Sequence, residues 1–224
     1  LRDCSRRETV SLFTFFTAAL NTLLYRYTKQ EDILLGIPLA DRDRPELQSM
    51  IGFLLHTHVL RTQLSGDQTF RELLARVQKG VLDLYVHRSP PFDKVVSRVQ
   101  PQRNLSYSPL FQVMINWRDR DQLLSFIGLD GIEVESLLAE SRTSKFDLTL
   151  MLTDGGDEIW LEIEYNIDLF DEARIQRLFG HFCALLDGAV ANPEQRLAEL
   201  PLLTGAERHQ LLVEWNVAQA EDVA

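Results

Sequence analysis

Ile51-Gly-Phe-Leu-Leu-His-Thr-His-Val-Leu-Arg61 is the stretch whose reading decides the fold. From Phe53 to Arg61 it holds no proline, and nearly every residue is apolar, aromatic or β-branched. That composition predicts one long strand covered on both faces. Side chains alternate along a strand, so Phe53, Leu55, Thr57, Val59 and Arg61 share one face and Leu54, His56, His58 and Leu60 the other. Two imidazoles on an otherwise apolar face, closed by a guanidinium, need partners, because a buried polar group without one costs about 1–3 kcal/mol. The expectation is a strand that lines a cavity, a channel or a polar network.

Outward from that strand, helical and extended patterns alternate. Upstream, Thr9 is the expected cap of a helix that runs to about Lys29 and is apolar nearly all round, hence buried on most sides. Asp32 to Pro38 reads as a short strand, and the charged segment Ala40 to Ser49 as a solvated loop. Isolated Gly36 and Gly52 suggest backbone bends. Downstream, Thr69 caps a predicted helix through Tyr85, with Phe70, Leu73, Leu74, Val77, Val81 and Leu84 at helical spacing. Two prolines make His87 to Pro91 a loop, with a short helix after it.

Leu110 to Trp117 predicts a buried strand, and Phe126 to Leu138 an edge strand or hairpin. Two further strands flank Asp154-Gly-Gly-Asp157, whose glycines suit the positive φ of a tight turn. A helix from about Asp171 to Leu186 carries Ile175, Leu178, Phe179, Phe182 and Leu186 on one face. Thr204-Gly-Ala-Glu207 is a capping-box pattern opening a last short helix, and Val217 to Ala224 is linker-like. The alternation predicts an α/β fold, a layered sandwich with one mixed β-sheet.

Bulk properties exclude several classes. A net charge of −10 over 224 residues argues against a nucleic-acid partner, which requires a concentrated basic surface. Two cysteines are too few for a disulfide framework, and a reducing cytoplasm is the simpler setting. Val10 to Tyr25 is strongly apolar but interrupted by Ser11, Thr14, Thr17 and Asn21, so it predicts a core helix and no membrane span. No P-loop, dinucleotide fingerprint or nucleophile elbow is present.

His56 and His58, with His87, are the histidines placed to hold a metal. No Cys, Asp or Glu stands at ligand spacing beside them, so cavity-lining or structural roles are favoured over a metal site. His56 as a general base is a further, weaker reading, because a buried imidazole can be tuned near neutrality. Cys183 reads as a small core residue.

The opening stretch resembles a core motif of nonribosomal peptide synthetase condensation domains, I-G-x-F-V-N-T-x-x-x-R. Ile51, Gly52, Thr57 and Arg61 match it, while His56 stands where the family carries asparagine. His87-Arg-Ser-Pro-Pro-Phe-Asp93 is similar to the family's H/N-Q-D-Y/V-P-F-E at His87, Pro91 and Phe92, with Asp93 keeping the acid. Arg103-Asn-Leu-Ser-Tyr-Ser-Pro-Leu-Phe111 is similar to R-D-x-S-R-N-P-L-F at Arg103, Ser106, Pro109, Leu110 and Phe111. The likeness continues through Ser144 to Leu150, Tyr165-Asn166 and the tail from Leu200 to Asn216.

The resemblance implies a CoA-dependent-acyltransferase-like lobe. Residues 1–200 would be the C-terminal, acceptor-side lobe of a condensation domain, and 201–224 the start of a linker toward an adenylation domain. The family's catalytic His-His-x-x-x-Asp-Gly motif belongs to an N-terminal lobe, and no adjacent histidines occur here. No catalytic residue and no metal are therefore expected in this chain. His56, His58, Arg61, Asp93, Arg103, Asn116 and Ser144 are the expected tunnel or structural polar residues, with Arg61 paired to an acid such as Asp93.

No cofactor would bind directly; substrates would arrive on the phosphopantetheine arms of carrier proteins. The implied partners are the N-terminal lobe, carrier domains and an adenylation domain. The implied reaction is amide-bond formation between tethered thioesters. A non-catalytic condensation-like module that recruits carriers or partner enzymes is the alternative reading. A free-standing hydrolase or acyltransferase using His56 is a third.

Overall fold

The structure is a computed structural model that describes residues 1–40, 42, 44–99, 107–119 and 143–216. Two compact units emerge, one from Leu1–Glu31, Leu64–Ala75 and Glu172–Ala224, the other from Asp32–Gln63 and Arg76–Asp171.

The first unit is helical. α1 (Arg2–Arg7) ends before Thr9, whose φ of 57° breaks the chain, and Ser11 caps α2 (Leu12–Thr28) by accepting from the Thr14 amide at 3.0 Å. The expected Thr9 cap is thus corrected to Ser11, since a residue in the left-handed region lacks the extended backbone that a cap requires. α2 is buried from Thr14 to Leu23, as its all-round apolarity predicts. Its hydroxyls are satisfied within the helix: Thr17 and Thr22 donate to Phe13 and Ala18 carbonyls at 2.7 and 2.9 Å. Phe15 packs on Phe70 (ring centroids 5.2 Å) at the start of α4 (Phe70–Val86). Phe16 packs on Phe182 of α6 (Glu172–Ala191), at 6.3 Å.

Within α6, Ile175, Leu178, Phe182 and Leu186 are buried as expected, but Phe179, at the margin of the stripe they make, is 43% exposed. The α4 capping box forms, with the Thr69 and Glu72 amides satisfied by the Glu72 carboxylate and Thr69 hydroxyl at 2.8 and 3.2 Å. A second box, Thr204 with Glu207, opens α7 (Gly205–Leu212), which leads into a 3₁₀ turn at Glu214–Asn216.

The second unit holds the sheet: β1 (Asp32–Ala40), β2 (Leu55–Gln63), β3 (Val113–Asp119), β4 (Leu148–Asp154) and β5 (Ile159–Tyr165), in the order β2-β1-β3-β4-β5. β1–β2 and β4–β5 are antiparallel while β1–β3 and β3–β4 are parallel, the mixed α/β sheet that the sequence predicts. The central strands supply the core, with Leu35, Ile115, Leu150 and Leu152 fully buried. In the β4–β5 turn only Gly156 takes positive φ, +84°; Gly155 instead makes room for the Trp160 ring.

β2 corrects the opening expectation. It begins at Leu55 rather than Phe53, it stands at the edge of the sheet among the described residues, and Ile51 (103% exposed) and Phe53 (86%), which precede it, are uncovered. An apolar run alone cannot separate a doubly covered strand from an edge strand preceded by an exposed apolar lead-in. The charged loop after β1 also contains a short helix, α3 (Pro45–Gln48), with Pro45 at its first turn. Gly36 lies within β1, where a Cβ would sink into the Phe111 ring, while Gly52 does stand at a bend, with open space around it. The predicted strand at Phe126 to Leu138 and the linker-like Val217 to Ala224 lie outside the described residues.

Candidate functional site

β2 carries its polar residues on two faces. In the β1–β2 register Thr62, Leu60, His58 and His56 oppose Ile33, Leu35, Ile37 and Leu39, and Leu60 and Thr62 are buried. That face meets the C-terminal half of α4, where a Cβ at Gly80 would stand 2.9 Å from a Leu60 methyl. The glycine therefore lets α4 lie close against the strand. Beside this contact lies a groove of about 390 Å³ lined by both elements. Its walls are His58, Leu60 and Arg61 of β2, Asp83 of α4, His87 of the following loop, and Phe92 of α5 (Phe92–Val99).

The groove has both polar and apolar lining. His87 follows the last turn of α4, and its Nδ1 lies 2.8 Å from the Asp83 carbonyl. A carbonyl only accepts, so Nδ1 carries the proton and neutral His87 is left with Nε2 as an acceptor. His58, Asp83 and His87 give the groove polar lining, while Leu60, Phe92 and Val95 offer apolar wall. Among the described residues no three His, Cys, Asp or Glu side chains gather as a metal-holding group.

The structure brings few of the predicted site residues together. His58 lines the groove; His56 lies on the same face of β2 but outside the groove walls. Arg61 does not reach Asp93. Its Nε and Nη2 grip Asp32 of β1 in a bidentate pair at 2.8–3.1 Å, a diagonal cross-strand contact made because Asp32 stands opposite Gln63, two residues along. The Arg61 hydrogen bonds hold the Asp32 carboxyl below the usual range. Asp93 sits instead in a second hollow of about 350 Å³ with Phe92, Val96, Ser97 and Pro109.

Asn116 lies on β3 opposite Met151, on the same face as Met114, which pairs with Gly36 and so belongs to the side of the sheet away from His58. Ser144 donates its hydroxyl to the Phe146 carbonyl, a local turn contact. Arg103 lies outside the described residues. Cys183 is half-buried, and burial pushes its thiol up, as a packing residue requires.

Sequence reasoning missed Asp32 and Asp83, because the first is revealed only by strand register and the second only by the approach of α4. It also missed the depth of Phe111, which packs edge-on to Phe92 (5.7 Å) and against Phe146 (5.0 Å) over Gly36. The available signal was the lone glycine in mid-strand, which announces a close approach.

A family model described as "Condensation domain" matches residues 1–212. A linear gramicidin synthase polypeptide of Brevibacillus parabrevis is 46% identical over 218 residues, 96% of this chain and 4% of that protein. Chondramide synthase of Chondromyces crocatus is 39% identical over 220 residues, 96% of this chain and 6% of that one. Among solved structures, a four-domain nonribosomal peptide synthetase bound to AMP and glycine aligns over 92% of this chain and 17% of its own, with a TM-score of 0.83 at 22% identity. The X-domain from teicoplanin biosynthesis aligns over 90% of this chain and 46% of its own, with a TM-score of 0.79 at 28% identity. The chain thus spans a small part of the curated relatives it matches.

Proposed function

The chain belongs to the condensation-domain family, and on that premise we propose that residues 1–200 form the C-terminal, acceptor-side lobe of a nonribosomal peptide synthetase condensation domain, with 201–224 beginning a linker toward an adenylation domain. The observation that carries the reading is the match of residues 1–212 to the family, joined to an alignment that takes up 46% of a single X-domain.

In the intact domain the amine of an acceptor aminoacyl thioester attacks the carbonyl of a donor acyl thioester. The C–N bond forms, the C–S bond breaks, and the donor's carrier leaves as a free thiol. Both substrates ride on phosphopantetheine arms, so the lobe's task is placement of two tethered reactants, a term able to supply about 7–11 kcal/mol of the barrier. No residue of this chain is assigned the proton transfer, which falls to the His-His-x-x-x-Asp-Gly motif of the other lobe. His58, with Asp83 and His87, is proposed as a groove wall, and Arg61 and Ser144 as structural polar groups. His56, Asp93, Arg103 and Asn116 are proposed as tunnel or structural polar residues. The proposed partners are the N-terminal lobe, carrier domains and an adenylation domain. A cytoplasmic setting fits the two unpaired cysteines, and no helix among the described residues is long and apolar enough to cross a membrane.

A second reading, a recruiting module that forms no bond, is favoured by one observation. The X-domain that this chain resembles at 28% identity has also been solved as a complex with OxyB. Mass spectrometry of donor- and acceptor-loaded carrier proteins separates the readings. The chain alone should yield no amide, and a polypeptide extended upstream through the other lobe should yield it. Product from the chain alone would overturn the half-domain reading and make His56 the first residue to replace. No product from either would favour recruitment.

A further inference from the structure

Among the described residues β2 stands at the edge of the sheet, and it lacks the features that usually keep such an edge from pairing. Natural edge strands are short, bulged, or interrupted by proline or charged side chains. β2 runs for nine residues, and its register with β1 is unbroken from Leu55 opposite Ala40 to Gln63 opposite Asp32. From Leu55 to Leu60 it carries no proline, lysine, arginine or acid. β5, at the other edge, carries Glu162 and Glu164. Arg61, the first formal charge on β2, is held by Asp32 of β1.

The unguarded stretch opens on the groove. Thr57, His58, Val59, Leu60 and Arg61 all line it. Successive side chains point to opposite faces of a sheet, so a groove bordered by five consecutive residues runs along the strand's edge. There the N–H and C=O groups that β1 does not use project. Across the groove stands α5, whose apolar Phe92 and Val95 line it and which buries none of its side chains. A free backbone edge facing half-covered apolar side chains has the form of a slot for an extended peptide, with main-chain hydrogen bonds on one side and side-chain contact on the other. Ahead of the strand Met50, Ile51 and Phe53 are exposed, so apolar surface continues past the slot.

We propose that the free edge of β2 takes up an extended segment of the N-terminal lobe as an added strand along residues 57–61. The proposal rests on the half-domain reading above and adds to it the surface through which the two lobes join. This chain takes up 46% of the X-domain it resembles, so on that reading a stretch of similar length belongs beside it. A segment tethered in the same polypeptide meets the edge at an effective concentration that a separate molecule does not reach. Ile51 and Phe53, which lead into the strand, then lie under the same lobe.

Hydrogen exchange resolved over residues 55–63 tests this, comparing the chain alone with the polypeptide extended upstream through the other lobe. Pairing with β1 engages about every second amide of β2, so in the chain alone the others should exchange fast. In the extended polypeptide those amides should slow on the order of tenfold or more. Thr57→Pro and His58→Pro each remove one N–H, and strand alternation turns one of the two toward β1 and the other toward the groove. The second is recognised by leaving the melting of the chain alone nearly unchanged, since proline is tolerated on the open side of an edge strand. In the extended polypeptide that variant should return neighbouring amides to fast exchange. Amides that stay fast in the extended polypeptide, amides already slow in the chain alone, or protection that survives the proline would each overturn the proposal. Slow exchange that appears in the chain alone only as its concentration rises would give the edge to a second copy and overturn it equally. Should neither proline variant fold, the comparison of the unsubstituted proteins still decides. Amide synthesis from loaded carriers reads the half-domain proposal separately: product with an unprotected β2 sinks the added strand alone, and a protected β2 without product sustains it.

Discussion

A methyl group at position 36 has nowhere to go. Gly36 sits in mid-β1 with the fully buried Phe111 ring pressed against its backbone, and an added Cβ would fall inside the ring's van der Waals shell. Phe111 is wedged between Phe92 and Phe146, so it cannot yield without moving both. Gly36→Ala should therefore destabilise by about 1–3 kcal/mol, the usual cost of overpacking a filled core, read as a lower urea midpoint at unchanged slope. Arg61 argues the other way. Its side chain and that of Asp32 are 64% and 43% exposed, so solvent and salt screen the pair despite its bidentate geometry. Arg61→Ala should leave the melting midpoint almost unchanged, with any small loss vanishing at high salt. A large, salt-independent drop would restore the buried role that the sequence suggested for Arg61.

At the level of elements, α4 depends on its cap. Thr69 and Glu72 satisfy each other's amides, and Thr69→Ala should cost about 1 kcal/mol, measurable by denaturant unfolding. The Thr69 cap and the Thr204–Glu207 box were legible in the sequence, because a hydroxyl and the first-turn groups it meets lie within one turn. The longer helices and the β4–β5 hairpin were legible for the same reason, that their signals are local, whereas α1 and α3, at six and four residues, were too short to show a period. The edge position of β2 was not. Edge or centre is decided by which strand pairs on the far side, and among the described residues β2 has β1 on one side and no further strand of the sheet on the other. The candidate site shares that limit. His58 was visible as a polar residue on an apolar strand face, yet its groove partners Asp83 and His87 arrive from α4 and the loop after it, at a distance that no periodicity encodes. Asn116 and His58 both read as buried polar groups, and only the strand register puts them on opposite faces of the sheet.

Acid should act unequally on the two compact units of the molecule. In the first, the Arg71 hydrogen bond is the main cause holding the Glu8 carboxyl below its ordinary value. Burial alone would push the Glu207 carboxyl up, but its hydrogen bonds from Thr204 and His181 outweigh burial and leave it lowered. A carboxyl lowered by folding contributes stability above its unfolded pKa and loses it as pH falls through the folded one. Both groups therefore withdraw support from the same unit on acidification below about pH 4.5. In the second unit the effects oppose one another. Asp32 is lowered by Arg61, whereas burial raises Asp147, so protonating Asp147 relieves a cost as protonating Asp32 removes a gain. Amide exchange compared at pH about 7 and about 3.5 should show protection falling further in Leu1–Glu31, Leu64–Ala75 and Glu172–Asn216 than in the sheet-bearing unit. Glu8→Gln, which keeps an acceptor for Arg71 but removes the titrating charge, should flatten that fall in the first unit and leave the second unaltered. An equal loss in both units, or a steeper one in the sheet, would show that acid unfolding is governed by groups other than these carboxylates.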